Sequence, residues 1–262
     1  MSRYAAMFAR NEGVFGAFVM LGDPDLAASA ATLDDLVAGG ADMIEVGIPF
    51  SDPVADGPVI QAAAARALAA GVRPADCFAL IRGLRARHPA IPVGILTYAN
   101  LVLARGLDAF YRAAAGAGAD SVLVADAPAM EAQPFVAAAR ARRIAPVLIA
   151  AANTPPERLR RIASLGGGYT YCVARAGVTG ADEEVRFDHR EMLRILREAG
   201  APPPVFGFGI SRPAHVSAAL DAGAAGVISG SAIVGLAAAG GDVRAFVASM
   251  KAATFAERVP ID

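Results

Sequence analysis

Lysine is almost missing from this chain. Of 262 residues, Lys251 alone carries an amine side chain, and it falls in a C-terminal helical pattern away from every loop of catalytic character. Imine chemistry of the lysine-aldolase kind is thereby excluded. Cysteine is nearly as scarce. Cys77 and Cys172 lie far apart with no metal-like spacing, which fits a reducing compartment better than a disulfide framework. The three histidines, His88, His189 and His215, fall in or beside helical patterns. None is spaced like a metal ligand or a catalytic base, so surface or capping roles are expected, no metal site is expected, and zinc hydrolysis and a Ser–His triad drop out. No G-x-G-x-x-G follows the first strand pattern, which removes a dinucleotide-binding fold. A formal net charge of -1 recommends neither nucleic acid nor an anionic membrane as partner. Positions 1–14, interrupted by Arg3, Arg10 and Glu12, carry no signal-peptide pattern, and a cytoplasmic setting is expected. The uncharged stretch 222–241 is long enough for a membrane span, but it is dense in glycine and divides into a strand and a helix beginning at Ser231.

What is present is apolar and periodic. The chain is 55% hydrophobic, ample for a large core. Short β-rich runs at 16–20, 43–46, 93–96, 121–125, 145–149, 169–173, 205–207 and 226–229 alternate with helical patterns at 26–37, 60–69, 75–87, 107–115, 131–140, 156–163, 190–198 and 213–221. Strands buried on both faces and separated by helices imply parallel βαβ units. Eight of them fit one closed (β/α)8 TIM barrel domain spanning 1–262, with an extra N-terminal helix. A weak repeat supports this: Ala38-Gly39-Gly40-Ala41-Asp42, Gly116-Ala117-Gly118-Ala119-Asp120 and Ala222-Gly223-Ala224-Ala225 each end a helix with glycine and lead into a buried strand. Such turns mark the structural end of a barrel. Chemistry belongs at the other end, in the loops that follow the strands.

The most informative of those loops follows the second strand: Ile44-Glu45-Val46-Gly47-Ile48-Pro49-Phe50-Ser51-Asp52-Pro53-Val54-Ala55-Asp56-Gly57-Pro58. A carboxyl inside an apolar strand is costly unless it is paired or put to use. Glu45 suits either proton transfer or a structural ion pair with a barrel arginine. Asp56 suits either a second catalytic acid or a turn cap, and Asp52 best suits a turn. Two acids in one apolar mouth repel as anions, which favours keeping one protonated and lets the pair act as acid and base. Late in the chain, Gly207-Phe208-Gly209-Ile210-Ser211 and Ser229-Gly230-Ser231-Ala232 follow strands seven and eight, where barrels often hold a phosphate on backbone N–H groups. The loop after strand six, around Arg175 and Thr179, reads either as a lid or as an ordinary solvated loop. Phe18, Tyr98, Tyr171 and Phe208 near strand ends would suit a flat aromatic substrate if they converge.

Taken together, Phe18-Val19-Met20-Leu21-Gly22-Asp23-Pro24, the stretch 44–61, Tyr98-Ala99-Asn100, Val124-Ala125-Asp126-Ala127-Pro128 and segments 168–180, 207–211 and 228–234 make the chain resemble the tryptophan synthase alpha subunit family, nearly end to end. The resemblance implies retro-aldol cleavage of indole-3-glycerol phosphate to indole and D-glyceraldehyde 3-phosphate. It implies catalytic roles for Glu45 and Asp56, and an indole site of Phe18, Leu96, Tyr98, Leu123, Ile149, Tyr171 and Phe208. It implies phosphate binding by Gly180, Gly209, Gly230 and Ser231, with Arg175 and Thr179 in a closing loop. It further implies a beta subunit as partner in an alpha2beta2 assembly, met through Asp52, Pro53, Asn100 and Asp126. Pyridoxal phosphate would belong to that partner, and this chain would need no cofactor of its own. Met20 stands where many relatives have threonine, and Ala150-Ala151-Ala152 replaces a more proline-rich turn. Other readings remain: a free-standing indole-releasing lyase, a sugar-phosphate isomerase barrel, or a non-catalytic scaffold for the partner.

Overall fold

Each strand of this protein is too apolar to face water on either side, and closing the sheet on itself inside a ring of helices solves that problem. The computed structural model describes all residues except 11, 174–188 and 256–262. Its strands are β1 (Val14–Met20), β2 (Met43–Gly47), β3 (Val93–Thr97), β4 (Ser121–Val124), β5 (Ala145–Ala151), β6 (Thr170–Val173), β7 (Pro204–Gly207) and β8 (Gly226–Ser229). They pair in parallel in sequence order, and β8 returns to β1 to close the barrel. The expected strands fall within two residues of these bounds, the margin at which terminal pairing frays.

The described helices are α1 (Arg3–Phe8), α2 (Leu26–Ala38), α3 (Pro58–Ala69), α4 (Pro74–Arg87), α5 (Ala99–Arg105) and α6 (Leu107–Ala117), followed by α7 (Gln133–Ala141), α8 (Pro156–Leu165), α9 (Arg190–Glu198), α10 (Pro213–Asp221), α11 (Ser231–Ala238) and α12 (Val243–Ala252). The expected N-terminal helix is α1. Sequence periodicity misses α5, a short helix that buries only Val102 fully and so has no apolar stripe to betray it. The uncharged stretch 222–241 divides between β8 and α11, and no helix among the described residues is long and apolar enough to cross a membrane.

Alternation along β1 separates two cores. Phe15, Ala17 and Val19 pack outward against the helices, while Val14, Phe18 and Met20 point into the barrel. Helix α1 plugs the floor, where the Tyr4 ring packs tilted against Tyr169 at 5.5 Å and the Tyr4 hydroxyl shares a 2.8 Å hydrogen bond with Ser121.

The glycine-bearing repeat does mark this floor. Gly118, which ends α6, is left-handed at φ 88°, a conformation that costs glycine little. The aspartates of the repeat then finish the job. The Asp42 N–H donates to the Phe15 carbonyl, and its carboxylate accepts the Phe15 N–H at 2.8 Å. Asp120 treats Val93 identically, also accepting at 2.8 Å. In the third copy Ala225 donates to the carbonyl of Pro204. Proline has no N–H to satisfy, which accounts for alanine in place of aspartate.

Candidate active site

Glu45 is the middle residue of β2 and pairs across the sheet with Phe18 and Gly94. Its position in the strand's alternation turns it into the barrel, where it is 2% exposed. No arginine reaches it among the described residues, so the structural ion pair is not what holds it. The Tyr169 hydroxyl donates to Oε1 at 2.6 Å instead, while Oε2 is buried without a hydrogen-bond partner among the described residues. Burial pushes the Glu45 carboxyl up to about 7; the Tyr169 hydrogen bond opposes this rise and the nearby negative charge of Asp56 adds to it.

Asp56 lies in the loop between β2 and α3, also buried. The turn around it is fixed by its backbone, since Gln61 Nε2 donates to the Asp56 carbonyl at 2.7 Å and the Asp56 N–H donates to the Pro53 carbonyl. That leaves the carboxylate available, and the Tyr98 hydroxyl donates to its Oδ2 at 2.8 Å. Burial raises the Asp56 carboxyl above its usual range, and the Tyr98 hydrogen bond works against that rise. Asp52, by contrast, is exposed and accepts a 2.5 Å hydrogen bond from the Ser51 hydroxyl.

Both carboxylates line one cavity of about 710 Å³, counting its open mouth, at the C-terminal end of the strands. Phe18, Leu96, Leu123, Ile149, Tyr171 and Phe208 come together as its walls. Tyr171 and Phe208 meet edge to face at 5.9 Å. Phe208 is held at φ 68°, a left-handed conformation that is unfavourable for a bulky residue and is found mostly where function fixes the backbone. Beside it, Gly207 has no room for a side chain, because a Cβ there would lie 1.9 Å from the Tyr171 hydroxyl.

The cavity's remaining wall is Gly209, Ile210 and Ser211 from the loop after β7, and Gly230, Ser231 and Ala232 from the turn into α11. The opening N–H groups of α11 have no carbonyl of their own helix to bond, which makes this wall receptive to an anion. Among the described residues that line the cavity, none is a lysine or arginine.

Three site expectations, Arg175, Thr179 and Gly180, lie outside the described residues, as does the lid reading of their loop. One expectation needs correction. Tyr98 is not part of the cavity wall: its ring stacks on Phe50 at 5.3 Å and its hydroxyl is spent on Asp56 and on the Ala55 N–H. Two histidines hold the expected capping positions, His88 at the end of α4 and His189 at the start of α9. His189 and His215 are buried, the first stacked on Phe206 at 5.0 Å and the second accepting the Ser211 N–H, while His88 closes α4 and pairs with Asp34 at 3.0 Å. Sequence reasoning missed Tyr169, although it lies two residues before the inward-facing Tyr171 and strand alternation points both the same way. It also missed Ile60 and Ala125, whose residue types carry no chemical signature.

The rim above β2, β3 and β4 is tied together. Ala55 N–H reaches Tyr98 from one loop to the next, and Asp126 accepts the Ala99 N–H at 2.7 Å. Exposed Asp52, Asn100 and Asp126 sit on this rim with half-buried Pro53, and so do Val54, Leu103 and Met130, each more than half exposed.

Comparison with known proteins agrees with this geometry. The model of the tryptophan synthase alpha chain family matches residues 4–257. The chain is 53% identical to the tryptophan synthase alpha chain of Shewanella amazonensis, covering 97% of this chain and 100% of that one. It is 52% identical to the alpha chain of Klebsiella pneumoniae, covering 97% and 99%. Among solved structures, a chain of Mycobacterium tuberculosis tryptophan synthase superposes with a TM-score of 0.87 at 33% identity, over 97% of this chain and 98% of that one. Agreement of this extent, at this identity, shows that the chain belongs to the tryptophan synthase alpha chain family.

Proposed function

We propose that the cavity cleaves indole-3-glycerol phosphate into indole and D-glyceraldehyde 3-phosphate, with Glu45 as the proton carrier and Asp56 as its electrostatic partner. The bond to be broken joins the indole C3 to the carbinol carbon. Its electrons need a sink, and the substrate's own ring provides one once C3 is protonated. Protonated Glu45 gives its proton to C3. As the carbon–carbon bond breaks, its electron pair returns to the ring. The carbinol hydroxyl becomes the aldehyde and passes its proton to Glu45, which ends as it began. Asp56, as a carboxylate, accepts the ring N–H and stabilises the positive charge that the ring carries between the two steps. No proton is gained or lost overall.

The observation that carries this reading is the pair of buried carboxylates in an apolar, aromatic-walled cavity with no described cation among its lining residues. Without a counter-ion, burial raises Glu45 to about 7, where a carboxyl can both give and take a proton near neutral pH. Phe18, Leu96, Leu123, Ile149, Tyr171 and Phe208 would hold the indole. The Gly209, Gly230 and Ser231 wall would hold the phosphate, and Gly180, Arg175 and Thr179 would join from the loop after β6. The rim of Asp52, Pro53, Asn100 and Asp126, with apolar Val54, Leu103 and Met130 around it, would meet a beta subunit in an alpha2beta2 assembly. That partner would hold the pyridoxal phosphate and make L-tryptophan from the released indole; this chain would need no cofactor. The free, buried Cys77 and Cys172 fit a cytoplasmic setting.

An indole-release assay on the purified chain, alone and with a beta subunit, tests the reading. Release of indole that rises when the beta subunit is added is expected. No release in either condition would overturn the reaction, and release indifferent to the beta subunit would overturn the partnership.

A further inference from the structure

The substrate wall and the two acids leave one buried aromatic unassigned. Tyr98 closes β3 and starts α5, is 2% exposed, and contributes nothing to the cavity's lining. Its hydroxyl nevertheless engages the loop after β2: it donates its single proton to Asp56 Oδ2 at 2.8 Å and accepts the Ala55 N–H at 3.3 Å. Two consecutive residues of that loop are thus stapled to the end of the neighbouring strand. Ring stacking on Phe50, at the beginning of the same loop, fixes the direction of the phenol.

We propose that Tyr98 is a positioning residue for the reaction: it aims the Asp56 carboxylate into the cavity and keeps it ionised, without touching substrate itself. This rests on the reading of Asp56 as the group that meets the ring N–H. Three features favour positioning over mere packing. A purely packing aromatic at this place needs no hydroxyl, yet the hydroxyl here is buried and both donates and accepts a hydrogen bond. The backbone of the Asp56 turn is already secured by Gln61 and Pro53, so Tyr98 is not needed to close the turn. The carboxylate, finally, gains little help elsewhere. Among the described residues, the titratable groups that act on or are acted on by Asp56 are Glu45 from β2, Tyr171 from β6 and Tyr98 from β3, and none of them is a cation. A donated hydrogen bond is then the main means of holding a carboxylate charged in an apolar mouth. Tyr98 can serve because burial and the adjacent Asp56 charge keep its own proton on, raising the phenol far above its usual range.

The test is Tyr98→Phe, which keeps the ring and its stacking on Phe50, set beside Tyr98→Leu, which removes both. Each variant is measured for indole release and for the titration of Asp56 by carboxyl-carbon NMR. Tyr98→Phe should lower kcat by about 10- to 100-fold, the loss expected for a hydrogen bond to a charged group, with KM within about twofold of wild type. It should also move the Asp56 titration to higher pH, because the donor that favours the charged form is gone. Tyr98→Leu should add a loss of thermal stability to the same loss of kcat. A Tyr98→Phe protein with wild-type kcat and an unmoved Asp56 titration, with activity lost only in Tyr98→Leu, would reduce Tyr98 to packing and overturn the proposal. The two readings fail separately. A wild-type chain that releases no indole sinks the reaction, while the Asp56 titration still decides whether Tyr98 governs its charge.

Discussion

Asp42, just before β2, and Glu45, in the middle of it, are three residues apart, and the protein treats their charges in opposite ways. Asp42, at the floor, is paired with Arg10 at 2.5 Å and Lys251 at 2.8 Å and accepts an N–H near the start of a strand. Asp120, its counterpart two strands on, is paired with Arg3 and Arg85 and does the same. Glu45 and Asp56, at the mouth, are just as buried, but each is held by one tyrosine hydroxyl and by no described cation. A carboxylate neutralised by cations is stable and chemically idle. One that is buried with only a weak donor has a raised proton affinity and is ready to exchange a proton. The chain's single lysine belongs to the first kind of site, which is why it takes no part in the second.

This contrast can be broken most forcefully at Glu45. Glu45→Gln keeps the shape and the Tyr169 contact but cannot carry a proton, and kcat for indole release should fall by about 10²- to 10⁴-fold. Wild-type release by this variant would remove Glu45 from the chemistry. The floor should respond in the complementary way. Asp42→Ala strands a largely buried Lys251 and the Phe15 N–H, and denaturant unfolding should show a loss of about 3 kcal/mol, while kcat of the folded protein stays within about twofold of wild type. A large kcat loss without a stability loss would reverse the assignment of the two ends. Gly207→Ala sharpens the picture of the mouth. The new methyl collides with Tyr171, a wall of the cavity, so about 1–3 kcal/mol of stability should be lost and KM should rise. An unchanged KM would show that Tyr171 does not shape the binding space. The smallest effect is expected at Ser231→Ala, where the loss of one hydroxyl donor should raise KM about fivefold, equivalent to roughly 1 kcal/mol, with kcat unaffected. A selective fall in kcat would place the phosphate elsewhere.

The sequence makes most of this legible for a physical reason. Strands buried on both faces leave continuous apolar runs, and an acid inside such a run stands out, so the barrel and Glu45 are readable without coordinates. The glycine turns at the floor are readable because a left-handed helix end has few alternatives to glycine. The role of Tyr98 is not readable, since an aromatic at a strand end can face the cavity or a neighbouring loop, and only the packing of Phe50 decides. Tyr169 was within reach of strand alternation but carries no charge to draw notice. Helix α5 escapes because a short run of adjacent apolar residues shows no helical stripe, and Ile60 and Ala125 because apolar side chains look alike whether they line a cavity or a core.

The most direct test of the account is the pH dependence of kcat/KM for indole release, from about pH 5 to about pH 9, which reports the groups of the free enzyme. Glu45 must start protonated to protonate the ring, and its folded value near 7 sits well above an ordinary carboxyl. The account therefore predicts that kcat/KM falls as pH rises through about 7, approaching a tenfold loss per pH unit beyond it. A profile flat across neutrality, or one that climbs there, would contradict it.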